Sequence, residues 1–144
     1  MRIGRHPLHP MLVHFPIALW SLSTICDIGA LLGTWKLWNY ACSFLVLGLV
    51  MALPAMAVGF FDLARLKKSA RQDGDRHMLL MCAAWVSYFA ALGMRLENKA
   101  MVTEPQAVAI AFGGVGFCLM AFGGWYGGKL VYHHGAGVRQ TQRT

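Results

Sequence analysis

The chain has 144 residues, 57% of them apolar and only 13% charged, a balance far from that of a soluble domain and one to be read against a bilayer. This length permits a single domain, residues 1–144, and four spans of about 20 residues each would take more than half of it. The formal charge of +7 sits in short basic runs between long apolar segments, where it orients a membrane protein; nucleic acid is excluded as the expected partner.

Taken in chain order, apolar runs at about 11–33, 38–61, 78–94 and 106–126 are each long enough to cross a hydrocarbon core. Met1 to Arg5 ahead of the first run imitate a signal peptide, but the run is long and no A-x-A cleavage site follows, so it is read as a retained helix. Backbone polar groups must pair internally in lipid, and nothing alternates with the period of two that a barrel strand needs. The expected fold class is therefore all-α: a four-helix transmembrane bundle with both termini on the same side. Pro54 predicts a kink in the second helix.

Orientation follows from the basic residues. Arg2, Arg5, Arg65, Lys67, Lys68, Arg71, Arg76, Lys129, Arg139 and Arg143 fall on one side, and only Lys36, Arg95 and Lys99 on the other. The positive-inside rule places both termini and the middle loop in the cytoplasm of a bacterial inner membrane. Trp20, Trp35, Trp38 and Trp125 lie within a turn or two of span ends, as an interfacial belt would. Membrane lipids are thus the first expected partner.

Two further patterns run through the spans. Cys26, Cys42, Cys82 and Cys118 occur one per run with no CxxC or CxxCH, which excludes c-type haem attachment and reads as four small apolar side chains. Gly113, Gly116, Gly123, Gly124 and Gly127 form a stripe on the fourth helix. The plainer reading is close packing of another helix, including a helix of a second subunit; a flat cofactor on bare backbone is the sharper alternative.

The chemistry concentrates in six histidines: His6, His9, His14, His77, His133 and His134. In the topology above all of them, with Asp62 at the end of the second span, gather at the inner end of the bundle. A single interfacial histidine is ordinary, since a polar ring belongs at a polar boundary. Six on one face, none in the outer loops, reads instead as a ligand cluster, because neutral imidazole is a common ligand of iron, copper and zinc. Prolines after His6 and His9 bias HPLHP toward an extended lid, with His14 beginning the helix proper and Pro16 in its first turn. No HExxH, ExxH pair or Ser-His-Asp arrangement supplies hydrolytic chemistry.

Imidazoles from separate helices facing across a bundle suit a b-type haem, and His14 with His77 is the leading axial pair, with His9 and His134 as a second pair or capping network. Arg5, Arg65 and Arg76 are candidates for the propionates. The first functional expectation is electron relay by haem b. The alternatives are a transition-metal or proton site drawn from His14, His77, His9, His134, His6 and Asp62 in a transporter or oxidase-like protein, and a non-catalytic membrane subunit whose polar residues tie helix ends together.

HPLHPMLVHFPIAL at 6–19, GFFD ending in Asp62, the isolated His77, and GGKLVYHHGAGV at 127–138 resemble the bacterial membrane family catalogued as domain of unknown function 2231. That resemblance covers nearly the whole chain and places the family's characteristic polar positions on His6, His9, His14, Asp62, His77 and His134, with His133 at a variable position. It implies redox work in the membrane, since related domains are joined to Rieske iron-sulfur or c-type cytochrome modules, and so a Rieske or cytochrome c protein as redox partner.

Overall fold

The structure, a computed structural model, describes residues 2–3, 6–97 and 100–138, with side chains over 8–96 and 101–138. Four helices dominate it: α1 (Leu8–Leu31), α2 (Lys36–Ala64), α3 (Arg71–Met94) and α4 (Ala107–Tyr132). All four are long and apolar enough to cross a membrane. At 24 residues the shortest rises about 36 Å, more than a hydrocarbon core of about 30 Å. Two-residue antiparallel bridges, Arg2–Ile3 with His6–Pro7 and Leu96–Glu97 with Ala100–Met101, close the polar ends.

Each helix extends beyond its apolar run at the end where the histidines lie. α1 begins at Leu8, so His9 is helical rather than part of an extended lid, and Pro16 falls in the third turn rather than the first. The reason is that Pro10 occupies the first helical turn, where no N–H has an intrahelical acceptor and its loss costs nothing. α2 runs unbroken through Pro54 to Ala64. Gly33, at φ 100°, turns the chain between α1 and α2 in a conformation that favours glycine.

Successive helices are antiparallel and pack as two hairpins, α1 with α2 and α3 with α4; the α2–α3 and α1–α4 seams are much thinner. The central core is Trp20, Leu45, Leu49, Ala52, Ala84, Tyr88, Ala91 and Met120. Trp20 and Tyr88 stack there with centroids 4.6 Å apart. Large apolar side chains such as Phe15, Ile25, Val50, Leu79 and Phe122 point outward, as lipid-facing positions require.

The glycine stripe of α4 is filled from within the chain. A Cβ at Gly116 would meet the Tyr88 ring at 2.9 Å, and one at Gly123 would meet Met81 Sδ at 2.7 Å. Close helix packing therefore explains the stripe, and the face expected to serve a second subunit is taken by α3. Gly124 alone of the series has open space beside it.

Candidate functional site

The two hairpins enclose a cavity of about 510 Å³ in the half of the bundle where α1 and α3 begin. That is the size of a small-molecule or cofactor pocket. Its wall is mostly apolar, with Trp20, Met56, Met78, Met81 and Met120 among its lining residues. Its polar side chains are His9 from α1, Asp62 and Arg65 from the end of α2, His77 from α3 and Tyr132 at the end of α4.

His9 and His77 are held in the same way. His9 Nδ1 lies 2.8 Å from the carbonyl oxygen of Ala55, and His77 Nδ1 lies 2.8 Å from that of Gly123. A carbonyl only accepts, so each Nδ1 carries the proton and donates it; the lone pair of the neutral ring is then on Nε2. Fixing one ring nitrogen on a backbone carbonyl is how proteins orient a metal-ligating imidazole. The ring centroids are 6.2 Å apart and the planes nearly perpendicular at 85°.

Glycine makes room for both rings one turn further along. A Cβ on Gly59 would stand 2.8 Å from His9 Cε1, and one on Gly127 would stand 3.1 Å from His77 Cε1. The imidazoles thus lie on bare backbone of α2 and α4, and any larger residue there would push them into the cavity.

The remaining expected site residues separate from this pair. His14 is exposed on the outer surface of α1 and does not line the cavity, so the imidazole that meets His77 is His9. The cause is helical geometry: five residues rotate about 140° around the axis, and His9 and His14 cannot face the same neighbour. His134 donates Nε2–H to Asp73 Oδ2 at 2.8 Å, and Lys129 Nζ approaches the same oxygen at 3.0 Å. His133 is exposed and packs edge-on against His134.

Arg76 reaches Asp73 at 3.9 Å and lies over the Tyr126 ring, away from the cavity wall, whereas Arg65 lines it. The side chains of Arg5 and His6 lie outside the described residues. Among the described residues, no three His, Cys, Asp or Glu side chains come together as a metal-binding group.

Sequence reasoning missed Asp73, Lys129 and the pair at the opposite end of the bundle. There Asp27 of α1 and Arg95, just past α3, form a two-pronged ion pair at 2.9 and 2.6 Å. Both are almost fully buried, Arg95 at 0% and Asp27 at 2% exposure. The guanidinium also lies 4.3 Å over the Trp38 ring and 3.7 Å from Cys42 Sγ. Burial opposes its charge, but hydrogen bonds and charge from Asp27, with a smaller part from Cys42, outweigh that and raise its pKa above the ordinary value. A carboxylate in the middle of an apolar run was the available signal.

The family model catalogued as domain of unknown function 2231 and described as a predicted membrane protein matches residues 5–140. The chain belongs to that family. No curated protein and no solved structure matches it.

Proposed function

We propose that this member of the family is a b-type haem protein that relays electrons, in which His9 and His77 would hold the iron in place of the His14–His77 pair suggested by depth alone. The carrying observation is that two imidazoles from different hairpins, each with Nδ1–H donated to a carbonyl, face one cavity with Nε2 as the remaining donor atom. Two imidazoles that shared one iron through bonds of about 2 Å each would stand with ring centroids about 6 Å apart, counting the half-widths of the rings. His9 and His77 stand at 6.2 Å. The cavity's size and apolar wall suit a macrocycle, and Arg65 at its edge offers a charged donor to a propionate.

Haem, when bound, supplies one-electron transfer at a potential set by its axial ligands and surroundings. The chain's own residues hold the two ring nitrogens in fixed orientation, exclude water with methionine and tryptophan, and keep the rings on glycine. Among the described residues no three His, Cys, Asp or Glu side chains come together as a closed non-haem site would need, whereas two imidazoles suffice for haem. That difference favours haem over the His/Asp metal site.

The lining thioethers favour a second reading, since Met56, Met78, Met81 and Met120 with two imidazoles form a soft donor set that suits Cu(I). The basic surplus on the histidine side supports a cytoplasmic orientation of both termini, and a redox protein as partner belongs to the same proposal. Arg95, paired and buried, is no longer a free charge on the other side, which sharpens that surplus.

An oxidised and a dithionite-reduced absorption spectrum of protein purified from haem-replete membranes tests the reading. A Soret band with sharpened visible bands on reduction, lost in H9A and H77A and kept in H14A, is expected. Stoichiometric copper without porphyrin absorption would transfer the site to the second reading. Spectra with neither signal would leave the histidine pair as a helix tether.

A further inference from the structure

One sequence offset, 68 residues, relates the two hairpins at every level of the bundle. His9 bonds the carbonyl of Ala55 and His77 that of Gly123, each 46 residues on. His9 rests on Gly59 and His77 on Gly127; Trp20 rests on Gly48 and Tyr88 on Gly116. Read off the sequence, every residue of the first set has its counterpart 68 positions later in the second. His9 and His77, Gly48 and Gly116, and Gly59 and Gly127 are identical pairs.

The counterparts also touch one another. His9 meets His77, Trp20 stacks on Tyr88, and Asp27 grips Arg95, all three at that one offset. Two equivalent residues are in contact only where they straddle a rotation axis. Three such contacts, the outermost 18 residues from the innermost along α1, trace an axis of about 27 Å down the middle of the bundle. α1 lies opposite α3, α2 lies opposite α4, and the two thin seams are equivalents of each other.

We infer that the chain is one α-hairpin duplicated in tandem about a pseudo-two-fold axis, and that Asp27–Arg95 is the specificity pair that makes the first hairpin choose the second over a copy of itself. A residue on such an axis always meets its own counterpart. Two first hairpins would bury carboxylate against carboxylate, and two second hairpins guanidinium against guanidinium, at a position almost fully buried from solvent. Only the mixed pair satisfies both charges. At the other two levels the counterparts are His with His and Trp with Tyr, which carry no such preference. Discrimination therefore resides in the ion pair, and the inference holds whatever the cavity binds.

Charge reversal in the full chain tests it. D27R places two guanidiniums across the axis and R95D two carboxylates; each alone should lower the yield of monodisperse protein in detergent by roughly tenfold or more. Co-expressed with different affinity tags, the two single variants restore complementary charges by exchanging hairpins between chains. They should co-purify as a two-chain complex, while D27R with itself and R95D with itself should not. The reciprocal D27R/R95D chain should return toward a monomer. Single variants that co-purify no more with each other than with themselves, or a reciprocal chain no better than either single, overturn the inference.

Discussion

The two ends of this bundle treat polar groups in opposite ways. At one end His9 and His77 are tethered through Nδ1 to backbone carbonyls, rest on glycines and border a cavity of about 510 Å³. At the other, Asp27 and Arg95 close a two-pronged ion pair on each other, and Arg95 Nε is buried without a hydrogen-bond partner among the described residues. The first end leaves imidazole donor atoms beside a cavity; the second closes its charges on each other, with Trp38 and Cys42 packed against the guanidinium. A polar residue in a membrane bundle thus points to binding when its partners are backbone and its neighbours small, and to architecture when its partner is an opposite charge.

Several substitutions would break or sharpen that contrast. The largest effect is expected on ligand retention at the histidine end: H9A or H77A should lower the porphyrin bound per chain, measured as the pyridine haemochromogen, by more than roughly tenfold. H14A should leave it unchanged, because that ring points away from the cavity. Equal loss in all three would mean the outward and inward histidines act alike.

At the ion-pair end the response should appear in stability instead. D27A leaves a buried guanidinium without a counter-charge, at a cost of about 3–5 kcal/mol, and should lower the melting midpoint in detergent without selectively removing the ligand. D27L/R95M, which removes both charges and keeps bulk, should lie much closer to wild type. A D27A protein that melts as the wild type does would show that the pair stabilises nothing.

Glycine substitutions probe the histidine end from beneath. G59A and G127A should displace the imidazoles and cost about 1–3 kcal/mol through overpacking. G124A has open space beside it and should be neutral or slightly stabilising, since alanine favours helix by about 1 kcal/mol over glycine. Thermal melts of the three variants side by side separate steric crowding from helix propensity. The smallest effect belongs to R71A, which removes an exposed pair to Asp75 at 3.1 Å and should change stability by only about 0.3–0.5 kcal/mol.

The amino-acid sequence by itself determined that four helices cross a membrane, where the runs lie and which end holds the histidines. Hydropathy and charge are properties summed along one segment, and no neighbouring helix has to be known for them to act. The helix starts at Leu8 and Arg71 escaped that reading because amphipathic turns at a polar boundary carry no apolar signal. The tertiary structure decided which side chains meet. His9 rather than His14 faces His77, His134 goes to Asp73, and Asp27 finds Arg95 across 68 residues of chain. Those pairings depend on the rotation of each helix about its own axis and on its packing partner, and a few residues' difference in phase separates an imidazole in the cavity from one on the outer surface of the bundle.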